Sequence, residues 1–284
     1  MPVPTLRCAS QILDLSRPVV MGVLNVTPDS FSDGGRFLAA EAAVAHGLRL
    51  VEEGAAIIDI GGESTRPGAA PVPADEEIRR VLPVVERLRR ATGTPAAGTI
   101  ISVDTSKPEV IREAVAAGAG LINDVRALTE PGALDAAVAS GCAVCLMHMK
   151  GDPRTMQQAP SYVDVVNEVK AFLDERVHAC RAAGVPSDRI VIDPGFGFGK
   201  TLEHNLELLR RLRELTAGEL PLLVGLSRKS MLGTLTGRTA GERVHGSVAL
   251  AVIAAMNGAR IIRAHDVAAT VDALKIVGAV AGSQ

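Results

Sequence analysis

The sequence predicts an α/β protein of one domain, a (β/α)8 TIM barrel, and three observations carry the prediction. Eight short apolar runs alternate with amphipathic helical patterns along the chain, the arrangement of βα units that feed a parallel sheet. The 284 residues are close to the roughly 250 of such a barrel and suffice to bury a large core. Nearly every apolar run ends on a polar or charged residue, and in a barrel those ends converge on the face where active sites are built. An open doubly wound sheet is the competing fold, and an unbroken series of eight units fits it less well.

The elements follow in order. Residues 1–18 precede the first strand and are expected to form an extension covering the barrel floor, with the barrel itself over 19–284. The predicted strands are Val19–Asn25, Ile57–Ile60, Ile100–Asp104, Leu121–Asn123, Ala143–Met147, Ile190–Asp193, Leu222–Gly225 and Ile261–Arg263. Between them the spacing predicts helices such as Asp75–Arg90, Pro108–Ala117, Tyr162–Ala183 and Val244–Asn257. Lys107-Pro108-Glu109 puts a proline and an acid in a first turn, and Gly118 and Gly184 stand where helices should end. Ala91–Thr99 is read as a floor-side connector.

Composition narrows the function. A formal charge of −2 provides no general basic field for nucleic acid or acidic membrane. With no Trp, one Tyr and five Phe, base-stacking platforms are not expected. No apolar run approaches the roughly 18 residues that span a bilayer, and the start lacks leader character, so a cytoplasmic protein is expected. Cys142 and Cys145 form a C-x-x-C, but three positions apart on a strand they face opposite ways. With Cys8 and Cys180 they read as core cysteines.

The strand exits carry the chemistry: Asn25, Asp59, Asp104, Asn123, His148, Asp193, Ser227, and Arg263 with His265. Two turn-rich loops, Asn25–Gly35 and Gly61–Gly68, follow the first two strands, and loops this long in a compact domain are often binding loops. Asp193–Thr201, D-P-G-F-G-F-G-K-T, is neither a P-loop, since Pro194 holds a required glycine position, nor a dinucleotide fingerprint. Its glycines still let backbone approach a ligand, and Phe198 offers a ring. G-L-S-R-K-S lacks the second glycine of a nucleophile elbow, so Lys229 is read as a pocket donor. Arg263 suits a phosphate; the bland alternative is an ion pair with Asp266. His148 receives no role. Asp104, Asn123 and Asp193 need hydrogen-bonding partners when buried, which a heterocycle with ring N–H and amino groups supplies. One side of the mouth is thus acceptor-rich and the other anion-binding, which suits a nitrogen-rich heterocycle carrying a phosphate or diphosphate.

At these residues the chain resembles the dihydropteroate synthase family. M-G-V-L-N-V-T-P-D-S-F-S-D-G-G and D-I-G-G-E-S-T-R-P-G are similar to its first two signatures. I-S-V-D-T-S-K-P, I-N-D, C-L-M-H-M, D-P-G-F-G-F-G-K, V-G-L-S-R-K-S and R-A-H-D-V continue the match in order, from about Val19 to Val280. The resemblance implies condensation of a pterin diphosphate with p-aminobenzoate, with Asp104, Asn123, Asp193 and Lys229 on the pterin. It implies Mg²⁺ held by Asn25 together with the diphosphate, and Arg263 and His265 binding that diphosphate. Thr65, Arg66, Phe198 and Ser230 would line the p-aminobenzoate site, with Asp104, Lys229 and Asn25 closest to the chemistry. A homodimer and competition by sulfonamides are implied likewise. The alternatives are a barrel that passes a methyl group from methyltetrahydrofolate, which has no need of the Asn25, Arg263 and His265 set, and a non-catalytic paralogue, which would be expected to lose pocket residues.

Overall fold

Two four-residue strands, β1 (Thr5–Cys8) and β2 (Gln11–Asp14), open the chain as an antiparallel hairpin. The computed structural model describes residues 4–26, 35–64, 70–92, 98–152, 155–216, 218 and 220–281. Leu6, Cys8, Leu13 and Leu15 leave the hairpin on one side and are buried in a cluster with Met21, Ile57, Ile100, Leu121, Ala143, Val191, Leu223 and Ile261. These last eight residues come one from each of eight further strands, so the hairpin stoppers the end where those strands begin.

The eight strands are β3 (Val19–Asn25), β4 (Ile57–Gly61), β5 (Ile100–Asp104), β6 (Leu121–Asp124), β7 (Ala143–Met147), β8 (Ile190–Asp193), β9 (Leu223–Val224) and β10 (Ile261–Ala264). Each pairs in parallel with its sequence neighbour, and β10 pairs with β3. The β8–β9 seam is closed by a parallel bridge between Ile192 and Leu222. The barrel is the predicted one. The strand expected over Leu222–Gly225 shortens to Leu223–Val224, because Leu222 contributes only that isolated bridge.

Alternation along the strands sorts the side chains. Ile58, Ile60, Ile101, Val103, Ile122, Val144 and Ile262 pack outward against the helices. Ile57, Ile100, Leu121 and Ile261 face the barrel axis. Two residues further along the same inward rows stand Asp59, Ser102, Asn123 and Arg263. The barrel interior is therefore apolar at the floor and polar toward the mouth.

The helices are α1 (Gly35–Glu52), α2 (Ala74–Ala91), α3 (Pro108–Ala116), α4 (Ala133–Ser140), α5 (Val165–Ala182), α6 (Leu202–Arg210), α7 (Ser230–Thr236), α8 (Val244–Met256) and α9 (Val267–Ala281). In α2 the first turn carries Asp75, Glu76 and Glu77 and the last carries Arg89 and Arg90, matching the helix dipole at both ends. The helix expected from Tyr162 starts at Val165, because Asp164 caps it by accepting from the backbone N–H groups of Val166 and Asn167 at 3.0 Å each. Gly118 and Gly184 follow the ends of α3 and α5 with φ of +114° and +100°, where a side chain would be strained. All four cysteines are free and buried.

Candidate active site

The deepest polar layer of the mouth is organised around Asp59. Its side chain is out of solvent and accepts three hydrogen bonds, from Ser102 Oγ at 2.7 Å, Asn123 Nδ2 at 3.0 Å and Arg263 Nε at 2.6 Å. A buried carboxylate is tolerated only when paired and hydrogen-bonded in this way. Arg263 Nη2 reaches on to Asp104 Oδ2 at 3.1 Å, so one guanidinium joins the inward residues of β4, β5 and β10. Burial raises the Asp104 carboxyl above its usual range, Arg263 opposes the rise and the charge of Asp59 adds to it.

Across the mouth lies a second group. Asp193, at the end of β8, accepts from Gly195 N at 2.7 Å. Burial raises its carboxyl too, against that hydrogen bond and the pull of Lys229. Lys229 begins the approach to α7, and its Nζ sits 4.2 Å from the centre of the Phe198 ring, a cation–π distance. Burial lowers its ammonium from the usual lysine range, with Asp193 opposing. Phe198 lies in a turn in which Gly195, Gly197 and Gly199 have φ of +66°, +77° and +62°. A Cβ on Gly195 would stand 1.9 Å from His148 O, and one on Gly199 2.2 Å from Lys150 O, so only glycine lets this loop lie against the β7 exit.

The rim completes the set. Asn25 ends β3 beside Gly61 and is exposed. His265 follows β10, its ring Nδ1 3.0 Å from Ser227 Oγ, and Ser230 is exposed at the start of α7. Asp266 is held by Arg228, through Nη2 at 2.5 Å and Nε at 3.1 Å. This removes the bland alternative for Arg263, whose partners are Asp59 and Asp104. A cavity of about 510 Å³ opens beside Asp104 between Glu63, Lys107 and Arg126.

The chain matches the model of the family described as pterin binding enzyme over residues 21–265. It is 56% identical over 267 residues to the dihydropteroate synthase of Escherichia coli K12, covering 94% of this chain and 93% of that one. This chain belongs to the dihydropteroate synthase family of pterin-binding enzymes. Among solved structures it is similar to Xanthomonas albilineans dihydropteroate synthase with 4-aminobenzoic acid (TM-score 0.91, 57% identity, 99% of each chain covered). The same enzyme in complex with 7,8-dihydropteroate aligns at a TM-score of 0.88 with 55% identity, over 98% of this chain and 99% of that one.

Within this family member, Asp104, Asn123, Asp193, Phe198, Lys229 and Arg263 meet at the mouth, with Asn25, Ser230 and His265 on its rim. Thr65 and Arg66 lie outside the described residues, as do most of the first long loop and residues 93–97 of the connector. Besides His148, three residues of the site carried no ligand role in the sequence. Asp59 shows as a carboxylate at an inward strand position in I-I-D-I. Lys107, read only as part of a helix start, makes ion pairs with Glu63 and Glu77. Lys200 is 3% exposed and donates to His148 Nδ1 at 2.9 Å, Gly195 O at 2.9 Å and Phe198 O at 3.0 Å; no feature of the motif distinguishes it from a surface lysine.

Proposed function

We propose that this chain condenses 6-hydroxymethyl-7,8-dihydropterin diphosphate with p-aminobenzoate to give 7,8-dihydropteroate and diphosphate. The observation that carries the reading is the juxtaposition of Asp104, Asn123 and Asp193 with Arg263 and Lys229 inside one barrel mouth. Asp104 and Asp193 accept from ring N–H and amino groups of the pterin; Asn123 and Lys229 complete its edge. Arg263 and His265 face the diphosphate, and Phe198 and Ser230, together with Thr65 and Arg66, receive p-aminobenzoate.

The reaction needs no protein nucleophile. The amine nitrogen of p-aminobenzoate forms a bond to the pterin methylene carbon. The carbon–oxygen bond to diphosphate breaks with its electron pair, and the amine loses one proton. The barrier lies in the departing anion, which fixed cations stabilise, while the walls of the mouth hold the two reactants in line. The ionised form of Asp104, which gains population as pH rises through about 7, offsets positive charge that spreads into the pterin as the bond breaks.

Among the described residues no cluster of three acidic, His or Cys side chains offers a protein-built metal site. Mg²⁺ retains waters and binds through few protein oxygens plus substrate phosphates, so the Asn25 amide oxygen together with the diphosphate fits it. When bound, it would neutralise charge on the leaving diphosphate.

The exposed apolar residues Leu235, Ile253, Met256, Ile276 and Val280 on α7, α8 and α9 support a homodimer. A Yersinia pestis relative has been solved in complex with a sulfonamide drug, which supports competition for the p-aminobenzoate side here. No helix among the described residues is long and apolar enough to cross a membrane, and the free cysteines suit the reducing cytoplasm.

The test mixes the purified protein with Mg²⁺, p-aminobenzoate and the pterin diphosphate and follows diphosphate release. Release that depends on p-aminobenzoate and yields dihydropteroate is the expected result. Pterin binding without turnover would overturn the reading in favour of a non-catalytic pterin protein.

A further inference from the structure

The glycine-rich turn after β8 has a backbone-accounting problem. Its left-handed residues take it out of any sheet ladder, yet its carbonyl groups sit against protein and need donors. Side chains supply them: Gln157 Nε2 donates to Gly197 O at 2.5 Å and Tyr162 Oη to Gly199 O at 2.9 Å, while Asn205 Oδ1 takes up the Gly197 N–H at 2.7 Å. Lys200 supplies two at once, to Gly195 O and Phe198 O, and spends its third N–H on His148 Nδ1.

An ammonium has three donors, and here all three are used inside the protein. All three acceptors are neutral, and Asp193, whose charge acts on Lys200, is not among its hydrogen-bond partners. That is a costly way to close a turn, because burial strips the ammonium of its hydration and pulls Lys200 below the usual lysine range, with only the charge of Asp193 opposing the shift. The contacts show what the arrangement secures. Lys200 grips the carbonyl of Phe198, and the ring of Phe198 lies under the ammonium of Lys229. His148 is itself wedged edge-on against Phe172, ring centres 5.0 Å apart, so the acceptor that anchors Lys200 has little freedom to turn.

We propose that Lys200 is a positioning residue for the p-aminobenzoate side of the mouth, acting through Phe198 to hold the Lys229 ammonium over the ring. The inference rests on the proposed synthase reading for its substrate, and on geometry alone for the Lys200–Phe198–Lys229 chain. Lys200 touches neither reacting atom. Its effect is on where residue 198 stands, so it should discriminate between the two substrates. Asp104 and Asn123 on the far side of the pterin are held by Arg263 and Asp59, whereas Asp193 and Lys229 meet the pterin edge beside this turn, so the pterin should lose less than p-aminobenzoate rather than nothing.

The experiment compares wild-type enzyme with Lys200→Met, which keeps the bulk and removes the donors, and with His148→Leu, which removes one acceptor and leaves both carbonyl contacts. Hydrogen exchange is followed at residues 195–199. KM for p-aminobenzoate is measured alongside calorimetric binding of hydroxymethyl pterin. Lys200→Met is expected to speed exchange across the turn and to raise KM for p-aminobenzoate about tenfold, the scale of a lost buried charged hydrogen bond, with a clearly smaller loss of pterin affinity. His148→Leu is expected to move both in the same direction by less, and decides the matter if Lys200→Met does not fold. Unchanged exchange at 195–199 overturns the chain of contacts. Faster exchange with equal losses for both ligands overturns the positioning role and leaves Lys200 as a purely structural clasp. If wild-type protein shows no p-aminobenzoate-dependent release, the synthase reading fails, and the exchange comparison still decides the Lys200–Phe198 link.

Discussion

Arg263 Nε stands 2.6 Å from Asp59 Oδ2, and Asp59 is wholly out of solvent. The same guanidinium touches Asp104 at 3.1 Å, with 22% of the Arg263 side chain still exposed toward the mouth. The residue is therefore both the counter-ion of a buried carboxylate and a cation facing the mouth, and substitutions separate the two roles.

Removing Asp59 leaves the Arg263 charge without its deepest partner, and frees Asn123 Nδ2 and Ser102 Oγ. Asp59→Ala should destabilise the fold by about 3–5 kcal/mol, the usual cost of breaking a buried pair from one side. Chemical denaturation reads this directly. A loss below about 1 kcal/mol would mean that the layer does not depend on Asp59.

Arg263→Ala should weaken binding of the pterin diphosphate much more than binding of the bare hydroxymethyl pterin. Calorimetry with the two ligands makes the comparison within one variant, so the stability cost of exposing Asp59 cancels. Equal losses would remove the diphosphate role and leave only the structural one.

Asp104→Asn should lower turnover more than it weakens binding of the pterin diphosphate, because the charge acts on the bond-breaking step. Steady-state kinetics beside calorimetry provide both numbers, and matched losses count against the charge role.

The same variant has a pH signature. Burial raises the Asp104 carboxyl from 3.8 to about 7, so the folded state holds its proton where the unfolded chain has released it. The stability this group contributes is fully present below pH 3.8 and lost as pH rises through about 7. Asp104→Asn removes that loss, so its stability relative to wild type should improve as pH is raised across the window. A constant difference between the two, measured by urea unfolding at several pH values, would show that Asp104 is not shifted.

Two glycines with positive φ separate strain from crowding. Gly184→Ala has nothing within 4 Å of the new Cβ and should lose about 1–2 kcal/mol for the left-handed backbone alone. Gly195→Ala adds a Cβ placed 1.9 Å from His148 O, and overpacking should cost about 1–3 kcal/mol more. Denaturation midpoints that coincide would show that the turn moves freely away from the β7 exit.

The fold was legible because its signals are local. The runs at Val19–Asn25, Ile100–Asp104 and Ala143–Met147 match the observed strands to the residue, since each is bounded by turn-forming or charged sequence. The start of α5 was misplaced at Tyr162 because the capping aspartate lies inside the periodic stretch. The candidate site was legible as a set of polar strand ends, but its internal order was not. Asp266 is three residues from Arg263 and looks like its partner, yet the Arg228 side chain reaches Asp266, and Asp59, some 200 positions away in the chain, takes Arg263.

Alternation of apolar and polar residues along each strand is a one-dimensional property, and it already decides which side chains face the barrel axis and that their mouth-side ends are polar. Pairing among those ends depends on which strands become neighbours and at what register, and that exists only when the barrel closes. The Asp59–Arg263–Asp104 bridge needs β10 beside β3 and β4 beside β5. The Lys200 clasp needs the turn after β8 pressed against the β7 exit. Residue type supplied the charges; closure of the barrel chose their partners, because a buried charge must take whichever opposite charge or donor the packing brings within reach.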